Sequence, residues 1–257
     1  MKAKLLVIAV AACGNSPHEN ALDAAPIAID AAADALVVHD ATTVGPVRRA
    51  DVVVAAPGGG DTSKAVDGVF GGGADMGGAD VYSLGYKPGL DDSITLAWSH
   101  GVLANGAGDD FAVFENPFDE AGGGVFMDQI VVEVSRDGTT WRAIDHAYTS
   151  PNKNVYSNNP AYWHGFAGVT PVLLNDQTNP VDPFDRAAAG GDGFDLDNVS
   201  GSDPEAMAIR SEGVGFIRLV SAPARTNPDT NAPYLHDSLG NGPDIDGMYG
   251  RYVMPAP

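Results

Sequence analysis

The chain of 257 residues carries 34 acidic against 14 basic side chains, a formal charge of −20, together with 32 glycines, 18 prolines and a single cysteine. An excess of negative charge with no basic cluster beyond Arg48 and Arg49 argues against a nucleic-acid partner, because phosphate binding needs concentrated positive charge; cations are the natural counterpart. One cysteine rules out a disulfide within the chain, so stability has to come from a core or from a bound ion.

In chain order, residues 1–12 read as a signal peptide, with Lys2 and Lys4 ahead of an apolar run over 5–12. That run is about half of the roughly 20 residues that span a bilayer. Val10, Ala11 and Ala12 followed by Cys13 resemble the lipobox of bacterial lipoproteins, which implies acylation of the Cys13 sulfur and cleavage before it. Gly14 stands where an aspartate would signal inner-membrane retention, so the expectation is an outer-membrane lipid anchor with the domain periplasmic or surface-exposed. Loss of Lys2 and Lys4 would leave 12 basic against 34 acidic side chains, a formal −22. Residues 13–46 are rich in Ala and Asp, lack aromatics and offer no periodic apolar face; they read as a disordered tether.

Residues 47–257 read as one all-β domain. Short β-prone runs at 51–55, 93–98, 111–115, 129–135, 142–144 and 215–221 are separated by Gly, Asp, Asn and Pro. Several alternate with period two: Ile94, Leu96 and Trp98 share one face, as do Ile130, Val132 and Val134. One short helix is expected at 204–209, capped by Ser202 or Asp203. Many short strands in a domain of this size predict a β-sandwich or jelly roll. The interval 145–198 is too long for an ordinary connection, and such insertions are usually functional or ordered by something bound.

The segment "VEVSRDGTTW", 132–141, pairs Asp137 and Gly138 at a hairpin turn, with Trp141 returning to cover the core edge. It resembles the strand and turn of discoidin-like, galactose-binding-like jelly rolls. "ADVYSLGY", "DDFAVFENPF", "FMDQIVVEVSRDGTTW", "GFAGVTPV", "NPVDPFD", "GGDGFDL" and "NGPDIDGMYGR", in this order, are similar to an uncharacterised family of bacterial surface lipoproteins. That resemblance implies a lipid-anchored domain of discoidin-like architecture and no particular reaction.

Three acidic groupings fit a hard cation, which takes six to eight oxygens from carboxylates, amides and main-chain carbonyls. They are Asp110 with Glu115 and Asn116; Asp192 with Asp195; and Asp244 with Asp246. Converging like charges would repel without a cation, and calcium reconciles them; the competing reading is turn chemistry, in which each aspartate caps nearby N–H groups. Tyr156, Tyr162 and Trp163 in the long interval could stack on a sugar face, or Trp163 with Phe166 could supply a small core for that interval.

Catalysis has little support. The six histidines are scattered, and Ser99 beside His100 would point to the opposite face of a strand. The expectation is therefore an envelope lipoprotein whose calcium-stabilised sandwich binds a carbohydrate or a surface protein. A non-binding structural component is the alternative, and a glycan-active hydrolase a more remote one.

Overall fold

The computed structural model describes residues 46–255; the signal segment, Cys13 and almost all of the expected tether lie outside them. In chain order the strands of the two main sheets are β1 (Arg48–Arg49), β2 (Val52–Ala55), β3 (Ser93–Ala97), β4 (Phe111–Phe114), β5 (Ile130–Ser135), β6 (Arg142–Ala143), β7 (Asp192–Phe194), β8 (Phe216–Ser221) and β9 (Gly247–Gly250). One sheet runs β1-β9-β4-β7 and the other β6-β5-β8-β3-β2, every pairing antiparallel and neither sheet closed on itself.

Alternation along the strands builds the sandwich. Phe111 and Val113 of β4, Phe194 of β7 and Met248 of β9 meet Ile94, Leu96, Val132 and Leu219 of the other sheet in one buried cluster. The six predicted strands all form, each within a residue or so of the expected bounds. Strands β1, β7 and β9 complete the four-stranded sheet although their sequences, "RR", "DGF" and "GMYG", carry no alternating apolar signal.

The expected helix is also present, as Pro204–Glu212. Asp203 is its N-cap, its carboxylate accepting from the Glu205 and Ala206 N–H groups, while Arg142 pairs with the same carboxylate at 2.8 and 3.0 Å. Among the described residues no helix is long and apolar enough to cross a membrane.

The hairpin between β5 and β6 follows the predicted chemistry. Asp137 Oδ1 accepts from the Thr139 and Thr140 N–H groups at 2.8 and 2.7 Å, and Gly138 takes φ +74°, which glycine adopts without steric cost. Trp141 departs from expectation. It is half-buried on the outer face, with the Arg218 guanidinium 4.1 Å from its ring centroid, so it covers a charged group rather than the core edge.

The interval 145–198 packs on both sandwich faces. Val172, Leu174 and Phe184 cover Ala112 and Phe114 on the outer side of β4, while Tyr148, Trp163 and Phe166 join Val131 and Tyr234 on the outer side of β5. The insertion thus supplies its own order through two satellite cores, and its last turn returns as β7.

Candidate functional site

Five of the seven predicted metal-binding side chains each hold a loop. Asp110 Oδ1 and Oδ2 each accept at 2.7 Å, from the Gly106 and Leu196 N–H groups. Burial pushes this carboxyl up to about 7 against those two hydrogen bonds, and Asp195 and Asp197 add to the rise. Asp192 accepts from the Val169 N–H at 3.1 Å, and burial raises it to about 6. Asp195 caps the short turn Leu196–Asn198 through the Asp197 N–H. Asp246 receives the Phe70 N–H on both oxygens, at 2.9 and 3.0 Å, and burial lifts it to about 7. The Asn116 amide bonds the main chain of Gly78 as both acceptor and donor. These oxygens are engaged with main-chain donors of different loops, which is the turn chemistry weighed against the cation.

Glu115 and Asp244 do come together. The Asp244 N–H donates to Glu115 Oε1 at 2.7 Å, and Ser83 Oγ donates to Asp244 Oδ1 at 2.5 Å. Glu115 is 3% exposed; its Oε2 has no hydrogen-bond partner, and burial drives the carboxyl well above its ordinary range, with Asp128 and Asp244 adding repulsion.

Asp128 is the residue that sequence reasoning missed. It stands just ahead of β5, 4% exposed, and accepts from the Tyr86 hydroxyl at 2.5 Å. Burial raises its carboxyl, the Tyr86 hydrogen bond opposes that, and Asp244 and Asp237 raise it further while His236 lowers it. Tyr86 in turn stacks on His236, ring centroids 4.1 Å apart. Next to Asp128, Gln129 is buried with Oε1 unpartnered, and its amide nitrogen faces the Tyr156 hydroxyl at 3.3 Å. The available signal was the polar pair Asp128-Gln129 abutting a strongly apolar strand, a place where a buried polar group needs a reason.

The predicted ligand-binding aromatics are largely internal. Trp163 is 2% exposed, donates from Nε1 to Ser157 O at 2.8 Å, and is covered by Tyr148 and Phe166 at centroid distances of 4.1 and 5.2 Å. That burial assigns Trp163 to the satellite core and leaves it no ring face for a sugar. Tyr156 is half-buried, its hydroxyl donating to Met127 O at 3.1 Å; Tyr162 is half-buried at the margin of the same cluster.

Comparison with protein-family models, curated proteins and solved structures finds no match. The chemistry of the site is therefore read from its own geometry.

Among the described residues no three His, Cys, Asp or Glu side chains form a group that could hold a metal ion. Glu115 Oε2 is a buried carboxylate oxygen with no hydrogen-bond partner, whereas the Asp128 carboxylate is engaged by the Tyr86 hydroxyl. Ser99 Oγ donates to Asp51 at 2.5 Å rather than to the adjacent His100. Asp51, Ser99 and His100 line a shallow cleft beside Arg48 and Arg49.

Proposed function

We propose that this is a lipid-anchored protein of the bacterial outer membrane, acylated at Cys13, whose discoidin-like jelly roll is stabilised by calcium and binds a carbohydrate or a surface protein. The observation that carries the anchoring is the run from Lys2 to Cys13, in which a short apolar segment ends on Val-Ala-Ala-Cys. Calcium is supported by the formal charge of −20 and by the unpartnered Glu115 oxygen among other acids. For ligand contact, the loops at 85–91 and 236–241 are the best candidates. They lie side by side, expose Leu90 and Leu239, and carry the Tyr86–His236 stack. Apolar side chains rimmed by acids on adjoining loops suit an amphipathic ligand such as a sugar face.

One observation favours a second reading, a structural envelope component: Trp163 and Tyr156 are engaged in packing and internal hydrogen bonds. A glycan and envelope-protein binding screen with the full chain, in calcium and then in chelator, separates the two. Calcium-dependent binding that is lost on replacing Leu239 and His236 by Ala supports the binding role. Absence of any ligand, with the C13A chain released from the membrane fraction, would leave an anchored structural protein; equal membrane retention of C13A would remove the anchor.

A further inference from the structure

The chain holds two Asn-Gly pairs, Asn105-Gly106 and Asn241-Gly242, and the fold treats them differently. Asparagine before glycine is a chemically labile junction, because the glycine nitrogen, with no Cβ beside it, can reach the asparagine side-chain carbonyl. Asn105 is guarded. Its amide nitrogen donates to Asp197 Oδ1 at 2.7 Å and to Arg210 O at 2.9 Å, and the Gly106 N–H donates to Asp110 Oδ1 at 2.7 Å. The Tyr252 ring closes over Gly106, where a Cβ would fall 2.2 Å from it. Both partners of a ring closure are therefore engaged elsewhere.

Asn241 has no such guard. It is exposed, and among the described residues neither its amide nor the Gly242 N–H makes a hydrogen bond. The glycine cannot be exchanged for a safer neighbour: it takes φ +126°, and a Cβ there would stand 2.0 Å from Leu84 O. The fold thus requires the residue that makes Asn241 vulnerable. We propose that Asn241 is a site of spontaneous deamidation. The Gly242 nitrogen gives its proton to solvent base and attacks Asn241 Cγ; the new N–C bond forms, the Cγ–Nδ2 bond breaks, and ammonia leaves. Water then opens the cyclic imide at either carbonyl, giving aspartate or isoaspartate, so that one water is exchanged for one ammonia with no oxidant or further reactant. A carboxylate appears between Asp237 and Asp244 in the sequence. Isoaspartate also inserts a methylene into the main chain, just ahead of Pro243, whose carbonyl accepts from the Leu84 N–H at 2.7 Å. The loop is one of the two proposed above for ligand contact, yet the modification does not depend on that reading.

The test is peptide mapping by mass spectrometry of the full chain, aged in mildly alkaline buffer under native conditions and, in parallel, in urea. In the native chain the Asn241 peptide should pass to paired aspartate and isoaspartate forms roughly tenfold or more faster than the Asn105 peptide, the factor that opening one charge-assisted hydrogen bond imposes. In urea, where both pairs are released, the two rates should converge. N241Q should lack the more acidic species that accumulates in the aged wild type on anion exchange. If native Asn241 stays intact while it converts in urea, the fold holds the Gly242 nitrogen away from Cγ and the assignment is wrong. Equal conversion of Asn105 and Asn241 in the native chain would also overturn it, since the hydrogen bonds at Asn105 would then confer no protection. An acidic species that persists in N241Q would place the labile site elsewhere.

Discussion

Asp110 shows what a single buried carboxylate does here. It ties the loop at Gly106 to the turn at Leu196, yet its folded pKa of about 7 lies above the ordinary 3.8, with burial the main cause. The folded state therefore holds more protons than the unfolded one between these values. Stability from this group is fully present below about pH 4 and is lost as pH rises through 7. Urea denaturation of wild type and D110N at several pH values should show the wild type losing ground relative to the variant from pH 5 to pH 8. A constant difference would mean that Asp110 is ionised throughout. The residue types at these positions were legible in the sequence, but their grouping was not. Alternate spacing of Asp192 and Asp195, or of Asp244 and Asp246, describes convergence on an ion and dispersal over separate loops equally well. What decides is which backbone N–H groups the tertiary fold brings near, and those of Leu196 and Phe70 are far away in sequence.

At the scale of elements, β5 was readable because Ile130, Val132 and Val134 alternate toward one face. Strands β1, β7 and β9 were not, since their partners hold them in place: Arg48 and Arg49 are a strand through pairing with Gly250 and Tyr249, not through any propensity of arginine. The outward face of β5 was also misleading in its polarity. Glu133 looks like a solvated position, yet it is 8% exposed and receives Arg225 at 2.7 and 3.0 Å and Arg218 at 2.7 Å. Burial opposes its ionisation, and the two arginines outweigh burial, holding the carboxyl below its ordinary range. Its stabilising contribution is therefore present above about pH 4.5 and lost as pH falls through the depressed value. E133Q strands two guanidinium groups on the sheet. A fully buried pair broken this way loses roughly 3–5 kcal/mol, and because both arginines keep partial solvent contact a loss of about 2 kcal/mol is expected at neutral pH. Equilibrium urea unfolding measures it, and the difference from wild type should shrink in acid.

For the whole molecule, the arrangement is one central core between the sheets and a satellite core on each outer face. The long insertion was visible in the sequence as an anomaly, and its Trp163 and Phe166 as the makings of a core; that it would cover both faces was not, because that depends on where β7 re-enters the sheet. Trp163 holds one satellite core together, touching Tyr148, Tyr156 and Phe166. W163A should cost about 3–5 kcal/mol, the range for large aromatic truncations in cores. A loss under about 1 kcal/mol would show that the outer cluster adds little to the sandwich.

The pairing of Arg48 with Gly250 also governs how fast this architecture can assemble. The four-stranded sheet joins β1 and β9 from opposite ends of the described chain, and β4 waits for β7 and β9 to find it across long intervening segments. Closing such loops has to be completed before the contacts they bring together can reward it, which places the chain among slow folders. While it folds, β4 presents Phe111, Val113 and Phe114 along an unpaired edge, so the chain stays vulnerable to association until its last strand is in place.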